Sequence, residues 1–299
     1  MKRVKELIHI DYAYKIGLSG AGVTVAVMDT GIVRHPDFGN RIVGFKDFCN
    51  RRIELYDDNG HGTHVAGIIG GGGVLDLRYL GIAPKCNLLA LKVLDKNGNG
   101  NTANVLEGME WLIKNKEQYQ VRLLNISVGM LKSAGEKEKM QLLDAVDAAW
   151  DAGIMVVTAA GNNGPGENTV TIPGISRKVL TVGCMDDDTD ETGQYTKNEG
   201  YSGMGPTDCC VMKPEILAPG TNVVSCCRDV KGYIKKSGTS MAAPVVTGAL
   251  ALGFERFPEL TPAEMKLRLY ESAYPRGDYF KKKIWGMIHV DNLIRYRTY

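Results

Sequence analysis

Six short, nearly uninterrupted apolar runs punctuate the chain: VTVAVMD (23–29), NLLALKVL (87–94), RLLNISVG (122–129), GIMVVTAAG (153–161), VLTVGCM (179–185) and EILAPG (215–220). A strand with one wet face alternates apolar and polar residues. These runs do not alternate, so both faces of each strand must be covered. Between them lie segments with apolar residues three and four apart, clearest in TANVLEGMEWLIKNK (102–116) and EKEKMQLLDAVDAAWDAG (136–153), the second stopping at Gly153. Strands alternating with helices require right-handed crossovers and a mainly parallel sheet flanked by helices. The expected fold is three-layer αβα, as one domain over residues 1–299, because no repeat, low-complexity tract or composition shift marks a boundary.

Bulk properties narrow the function. A net charge of +2 gives no electrostatic case for nucleic acid or an anionic membrane as partner. No stretch of 18 apolar residues is present, so nothing is expected to span a membrane. The first residues are basic but lack the apolar centre of a secretory signal, and the cysteine count, seven, is odd. Reduced thiols and a cytoplasmic location are therefore expected. The adjacent pairs Cys209-Cys210 and Cys226-Cys227 read as buried small hydrophobes rather than metal ligands, since no second His/Cys cluster completes a set. VKELIHIDYAYKIGLSG reads as an amphipathic helix packed on the domain; residues 1–17 form an extension for which a short inhibitory pro-segment is one reading.

In open parallel sheets, ligands bind beyond the carboxyl ends of the strands. Two runs end there on polar residues: Asp29 in VAVMDTGI and Asn162 in VVTAAGNNGPG. Taken singly, Asp29 reads as a turn cap and GNNGPG as an ordinary turn. NGHGTHVAG (59–67) places His61 between two glycines, with His64 three residues on; no H-E-x-x-H glutamate makes them a metal pair. GTSMAAP (238–244) places Ser240 at a helix start, either as a cap or as a nucleophile. A serine attacks only when a base takes its proton and a partner fixes that base's tautomer. Asp29, His61 and Ser240 supply those three residue types. Asn162 and the Ser240 N–H supply donors for an oxyanion.

VAVMDTGI, NGHGTHVAG, AAGNNG and GTSMAAP resemble the four signature segments of the subtilisin-like serine proteases, in the family's order of Asp, His, Asn, Ser. The resemblance extends through HPDF (35–38), GIAP (81–84), LKVLDKNGNG (91–100), NISVG (125–129), APG (218–220) and GMIHVDNLI (286–294), covering about residues 18–295. It looks closest to the intracellular bacterial branch. It implies a serine endopeptidase in which Asp29 orients His61, His61 is base and then acid, Ser240 forms the acyl-enzyme, and Asn162 completes the oxyanion hole with support from Thr239. Ser127, Val128 and Gly129, with Asn99, Gly100, Asn101 and Thr102, match the two extended segments that clamp substrate backbone. Gly161, Asn163 and Thr171 fall where the family lines its specificity pocket.

The substrate implied is a peptide or an unfolded protein, cut in general intracellular turnover or in processing of a precursor, with no cofactor required for the chemistry. Asn163 and Thr171 replace an acid and a glycine found in many relatives, which implies a shallow pocket for small or medium uncharged side chains. Members of the family usually bind structural calcium, and Asp37 in HPDF matches a ligand of their strongest site. The partner loop GGGGVLDLRYLGIAP (70–84) lacks the usual asparagine-rich stretch, so calcium is an open expectation. DKNGNGN (95–101) is not an EF-hand, because its twelfth position is Leu106 rather than glutamate. GLSGAG precedes its strand, against a dinucleotide fingerprint, and Ser240 does not sit in G-x-S-x-G. A catalytically dead scaffold would lack one of Asp29, His61 or Ser240, and all are present.

Overall fold

The computed structural model describes residues 1–127, 129, 135–186, 200–208, 210–275 and 284–295. The expected strands form as β1 (Thr24–Asp29), β3 (Asn87–Lys92), β4 (Val121–Ile126), β5 (Met155–Ala159), β6 (Leu180–Cys184) and β7 (Ile216–Ala218). Sequence reading missed β2 (Ile42–Asp47), the hairpin β8 (Val223–Cys226) and β9 (Tyr233–Lys236), and β10 (Gly286–Met287). The reason is visible in β2: it is an edge strand whose residues, Asp47 apart, are only partly buried or exposed, so IVGFKD carries no continuous apolar signal. The sheet runs β10-β7-β6-β5-β4-β1-β3-β2, every neighbouring pair parallel; β8 and β9 pair antiparallel on their own.

The unbroken hydrophobicity of β1 now has its cause. Val25 and Val27 face one apolar cluster with Val65, Ile69, Val246 and Leu250, while Ala26 and Met28 face a second with Met109, Leu112 and Val146. Those partners lie on helices: α3 (His61–Gly70) and α6 (Thr239–Arg256) on one side, α4 (Thr102–Tyr119) and α5 (Glu136–Asp151) on the other. The two helices expected at 102–116 and 136–153 are α4 and α5.

The single N-terminal helix is not formed. Two short helices, α1 (Lys2–Leu7) and α2 (Asp11–Lys15), are separated by Ile8–Ile10, with His9 at φ 51°. Ile8 and Ile10 are both fully buried. Residues two apart cannot share a helix face, so burying both requires the break. The carbonyls freed there accept N–H groups from Val290 and Asp291 at 2.8 and 2.9 Å, where the last described helix, α8 (Val290–Arg295), begins. It follows α7 (Pro262–Ser272), which opens with a capping box between Thr261 and Glu264.

Helix α6 is the central pillar: every residue from Met241 to Phe254 is buried, as expected of a helix apolar on all sides. It packs against α3 and against β4, β5 and β6. Its approach to the chain at Ile82 depends on Gly248, because a Cβ there would lie 2.6 Å from the Ile82 Cβ. Helix propensity alone would favour alanine over glycine by about 1 kcal/mol. The overlap is between two branch points that no rotamer can move, so overpacking wins. Gly248→Ala is expected to destabilise the fold by about 1–3 kcal/mol. Denaturant midpoints of the substitution in a Ser240→Ala background, which prevents self-digestion, check this; an unchanged or raised midpoint contradicts it.

Candidate active site

Strand β1 delivers Asp29 to the carboxyl edge of the sheet, where it is fully buried. Its carboxylate straddles the His61 imidazole, with Oδ1 2.8 Å and Oδ2 2.9 Å from Nδ1, and Oδ1 also accepts the Thr30 N–H at 2.7 Å. A carboxylate only accepts, so Nδ1 carries the proton and Nε2 keeps its lone pair. The approach needs Gly62: a Cβ there would sit 2.2 Å from the Gly31 carbonyl and 3.2 Å from Asp29 Oδ1. Gly60, the residue before His61, has φ 96°, a conformation glycine adopts without strain. Burial pushes the His61 pKa down, but the charge and hydrogen bond of Asp29 outweigh it, and the net shift is upward from 6.5.

Two buried charged residues that sequence reading missed hold this turn. The Asp57 carboxylate, 4% exposed, accepts from Thr30 Oγ1 (2.8 Å), Gly60 N (2.7 Å), Thr63 N (2.9 Å) and Thr63 Oγ1 (2.6 Å). It thereby caps α3 and ties its start to the residue following Asp29. Lys92, fully buried and paired with Asp29 in the sheet register, donates to Thr30 O, Leu94 O and Asp58 Oδ1, each at 2.7 Å. Neither residue carried a local sequence signal: Asp57 stands three residues before the N-cap Gly60, and Lys92 lies inside an apolar run. His64 is no partner of His61. Its Nε2 lies 3.0 Å from Ile234 O and 3.2 Å from Val223 O on the hairpin, and burial pushes its pKa down to about 3.

Ser240 stands in the first turn of α6, and Asn162 follows β5 at the same sheet edge. Thr239 joins the two segments. Its N–H and hydroxyl both donate to Asn162 Oδ1 at 3.0 Å, while its Oγ1 accepts the Gly161 N–H at 3.1 Å. With the amide oxygen so engaged, Nδ2 is the donor left for a ligand; it lies 3.2 Å from where a Cβ on Gly238 would stand. Among the described residues the Ser240 N–H meets no carbonyl; the first turn's bonds begin with Met241 N–H to Gly238 O at 2.9 Å. Pro244 has no N–H, so the Ser240 carbonyl lacks its usual helical donor. Helices α3 and α6 pack together, and both start at the edge that carries Asp29 and Asn162.

The substrate segments differ in what they offer. Asp95 Oδ1 accepts the N–H groups of Asn97 and Asn99 at 2.8 and 2.9 Å, so DKNG is a turn closed by its own aspartate. Gly100 bridges to Leu94. Asn101 caps α4 through Asn104 N–H at 2.7 Å, and Thr102 is the first helical residue. Ser127 is buried, its hydroxyl 2.7 Å from Asn125 Nδ2, which leaves only its backbone for a ligand; Val128 lies outside the described residues. Thr171 is wedged between two glycines. A Cβ on Gly129 would lie 2.1 Å from Thr171 Oγ1, and one on Gly161 would lie 2.4 Å from its Cγ2 methyl. Asn163 is exposed beside them. Next to the 99–102 segment and Gly129 opens a cavity of about 470 Å³, walled by Leu94, Val105, Met109, Ile126, Leu142 and Ile172. No motif announced it, because its walls come from strands and helices on one face of the sheet.

Asp37 does not present a calcium site. Its buried carboxylate accepts N–H groups from Gly73, Val74 and Leu75 at 3.0, 3.0 and 3.4 Å and the Tyr233 hydroxyl at 3.1 and 3.0 Å. Calcium needs six to eight oxygens; the loop at 73–75 turns positive N–H ends inward instead. The donor set does not fit the ion. Cys226 is buried nearby and its thiol is pushed up by burial and by the Asp37 charge, so it is not primed to react.

Comparison with known proteins agrees with this geometry. Residues 20–296 match the model of the Subtilase family, Peptidase_S8. Serine protease AprX of Bacillus subtilis is 44% identical over 83% of this chain, which spans 60% of AprX. Subtilisin DY of Bacillus licheniformis is 35% identical, with 95% of each chain covered. A solved cold-adapted subtilisin-like serine proteinase superposes with a TM-score of 0.73 at 31% identity, covering 92% of this chain and 90% of its own. The chain belongs to the subtilase family of serine proteases.

Proposed function

We propose that the protein is a serine endopeptidase acting through Asp29, His61, Ser240 and Asn162. The observation that carries the assignment is the double hold on the site: both Asp29 oxygens on His61 Nδ1, and Thr239 on Asn162 Oδ1. His61 Nε2, the nitrogen left unprotonated, takes the Ser240 proton as Oγ attacks the scissile carbonyl. The oxyanion forms against Asn162 Nδ2 and the Ser240 N–H, at a helix start whose dipole favours negative charge. His61, now an imidazolium opposite Asp29, returns its proton to the leaving amine. Water then repeats the sequence on the acyl-enzyme. Proton transfer and attack are complete with these groups, so the chemistry calls for no cofactor.

The substrate is an extended peptide or an unfolded segment, lying between residues 99–102 and 127–129. Thr171 fills the space between Gly129 and Gly161, which supports a shallow pocket for small or medium uncharged residues before the cut. The apolar cavity beside residues 99–102 takes a bulky apolar side chain further upstream. General turnover and processing of one precursor both suit such a site. A cytoplasmic setting is part of the proposal and is supported by six free cysteines among the described residues.

Native protein is expected to cleave a diverse unstructured peptide library at small or medium uncharged residues. Ser240→Ala is expected to lose about 10⁶-fold in kcat, a magnitude taken from another member of the family. Cleavage retained by Ser240→Ala, read by mass spectrometry, contradicts the nucleophile; strong selection for arginine or lysine contradicts the pocket reading. The pH dependence has a definite sign. Catalysis requires neutral His61, so kcat/KM rises with pH through the free enzyme's His61 pKa, placed above 6.5 by Asp29. A kcat/KM that does not fall on the acid side as His61 is protonated contradicts the assignment.

A further inference from the structure

Asp37 is one of the most completely bonded groups in the molecule, although no step of the chemistry uses it. It is 1% exposed. Its own backbone is engaged as well: the carbonyl accepts Gly72 N–H at 2.8 Å and the N–H meets His35 Nδ1 at 3.2 Å. The carboxylate gathers three successive backbone N–H groups of the 73–75 loop, the arrangement of an anion-binding nest. Tyr233, on β9, closes the cluster: its hydroxyl donates to Asp37 and accepts the Asp76 N–H at 3.1 Å. Strand β9 leads directly into Gly238 and Ser240.

We propose that Asp37 is the hub of a cation-free brace, in which its carboxylate takes the place of a structural ion and binds the 73–75 loop to the Tyr233 hairpin that leads to the nucleophile. Charge decides the point. A bound cation would face three N–H groups directed at the same two oxygens, and those groups would have to turn away before the ion gained a ligand. Zinc is a stronger competitor than calcium here, because His35, Asp37 and Cys226 bring ligand-type atoms within 4.8 Å of one another. Yet His35 is committed on both nitrogens, to Asp37 N–H at 3.2 Å and to Gly232 O at 3.0 Å, so neither is free to ligate an ion without breaking a bond. The brace is independent of the catalytic assignment, since none of its members belongs to the proposed machinery.

The test is thermal unfolding of the full chain carrying Ser240→Ala, with Asp37→Asn and Tyr233→Phe added separately, in calcium, in zinc and in chelator. The difference in melting temperature between each metal and chelator is expected to be the same with and without Asp37→Asn, so that any ion effect lies elsewhere. Tyr233→Phe is expected to lower the melting temperature by about 3 °C, equally in all three solutions. A metal-dependent rise that Asp37→Asn abolishes overturns the proposal, as does a Tyr233→Phe protein as stable as its parent. Should Asp37→Asn fail to fold, terbium luminescence excited through tyrosine decides. An ion at Asp37 would sit against the Tyr233 ring, so emission that Tyr233→Phe removes overturns the brace; emission unaltered by Tyr233→Phe, or absent from both, is the expected result.

Discussion

The hold of a buried carboxylate on one imidazole nitrogen is the contact around which the rest of the site is arranged. Asp29 reaches His61 Nδ1 with both oxygens only because Gly62 has no side chain and because the start of α3 is fixed. That fixing is the work of Asp57, which accepts four hydrogen bonds from Thr30, Gly60 and Thr63. A carboxylate this deep is costly to bury unless its oxygens are hydrogen-bonded. The Asp29 carboxylate, which only accepts, gives His61 a single tautomer with its basic nitrogen turned away from Asp29.

The parallel sheet explains why residues so far apart in sequence meet. Each crossover returns the chain to the same end of the sheet, so the loops after β1 and β5 and the starts of α3 and α6 gather at one edge. Thr239 then joins two of these segments directly, bonding Asn162 and Gly161 across 77 and 78 residues of chain. Asn162 and the start of α6 are therefore held together in the folded chain without a ligand.

Much of this was legible in sequence, for physical reasons. The doubly covered strands are continuous in hydrophobicity because Val25 and Val27 serve one core and Ala26 and Met28 the other. Asp29, His61, Asn162 and Ser240 sit in glycine-rich motifs because backbone must approach them closely. What escaped reading has weak local signal: the edge strand β2, the short hairpin β8-β9, and the break at His9, which answers to burial of Ile8 and Ile10 rather than to helical pattern. Asp37 is the instructive case. Its motif was visible and suggested an ion, but the choice between a cation and N–H donors lies in the orientation of the 73–75 backbone, which no residue pattern encodes. Lys92 is similar, since its three oxygen partners come from the folded sheet edge.

The most direct test of the central claim, that Asp29 and His61 activate Ser240 in the folded protein, is labelling with a serine-reactive fluorophosphonate followed by mapping of the adduct. One adduct per chain is expected, on Ser240, absent from His61→Ala and from protein unfolded before exposure. An adduct on another serine, or labelling of Ser240 that His61→Ala leaves unchanged, would contradict it.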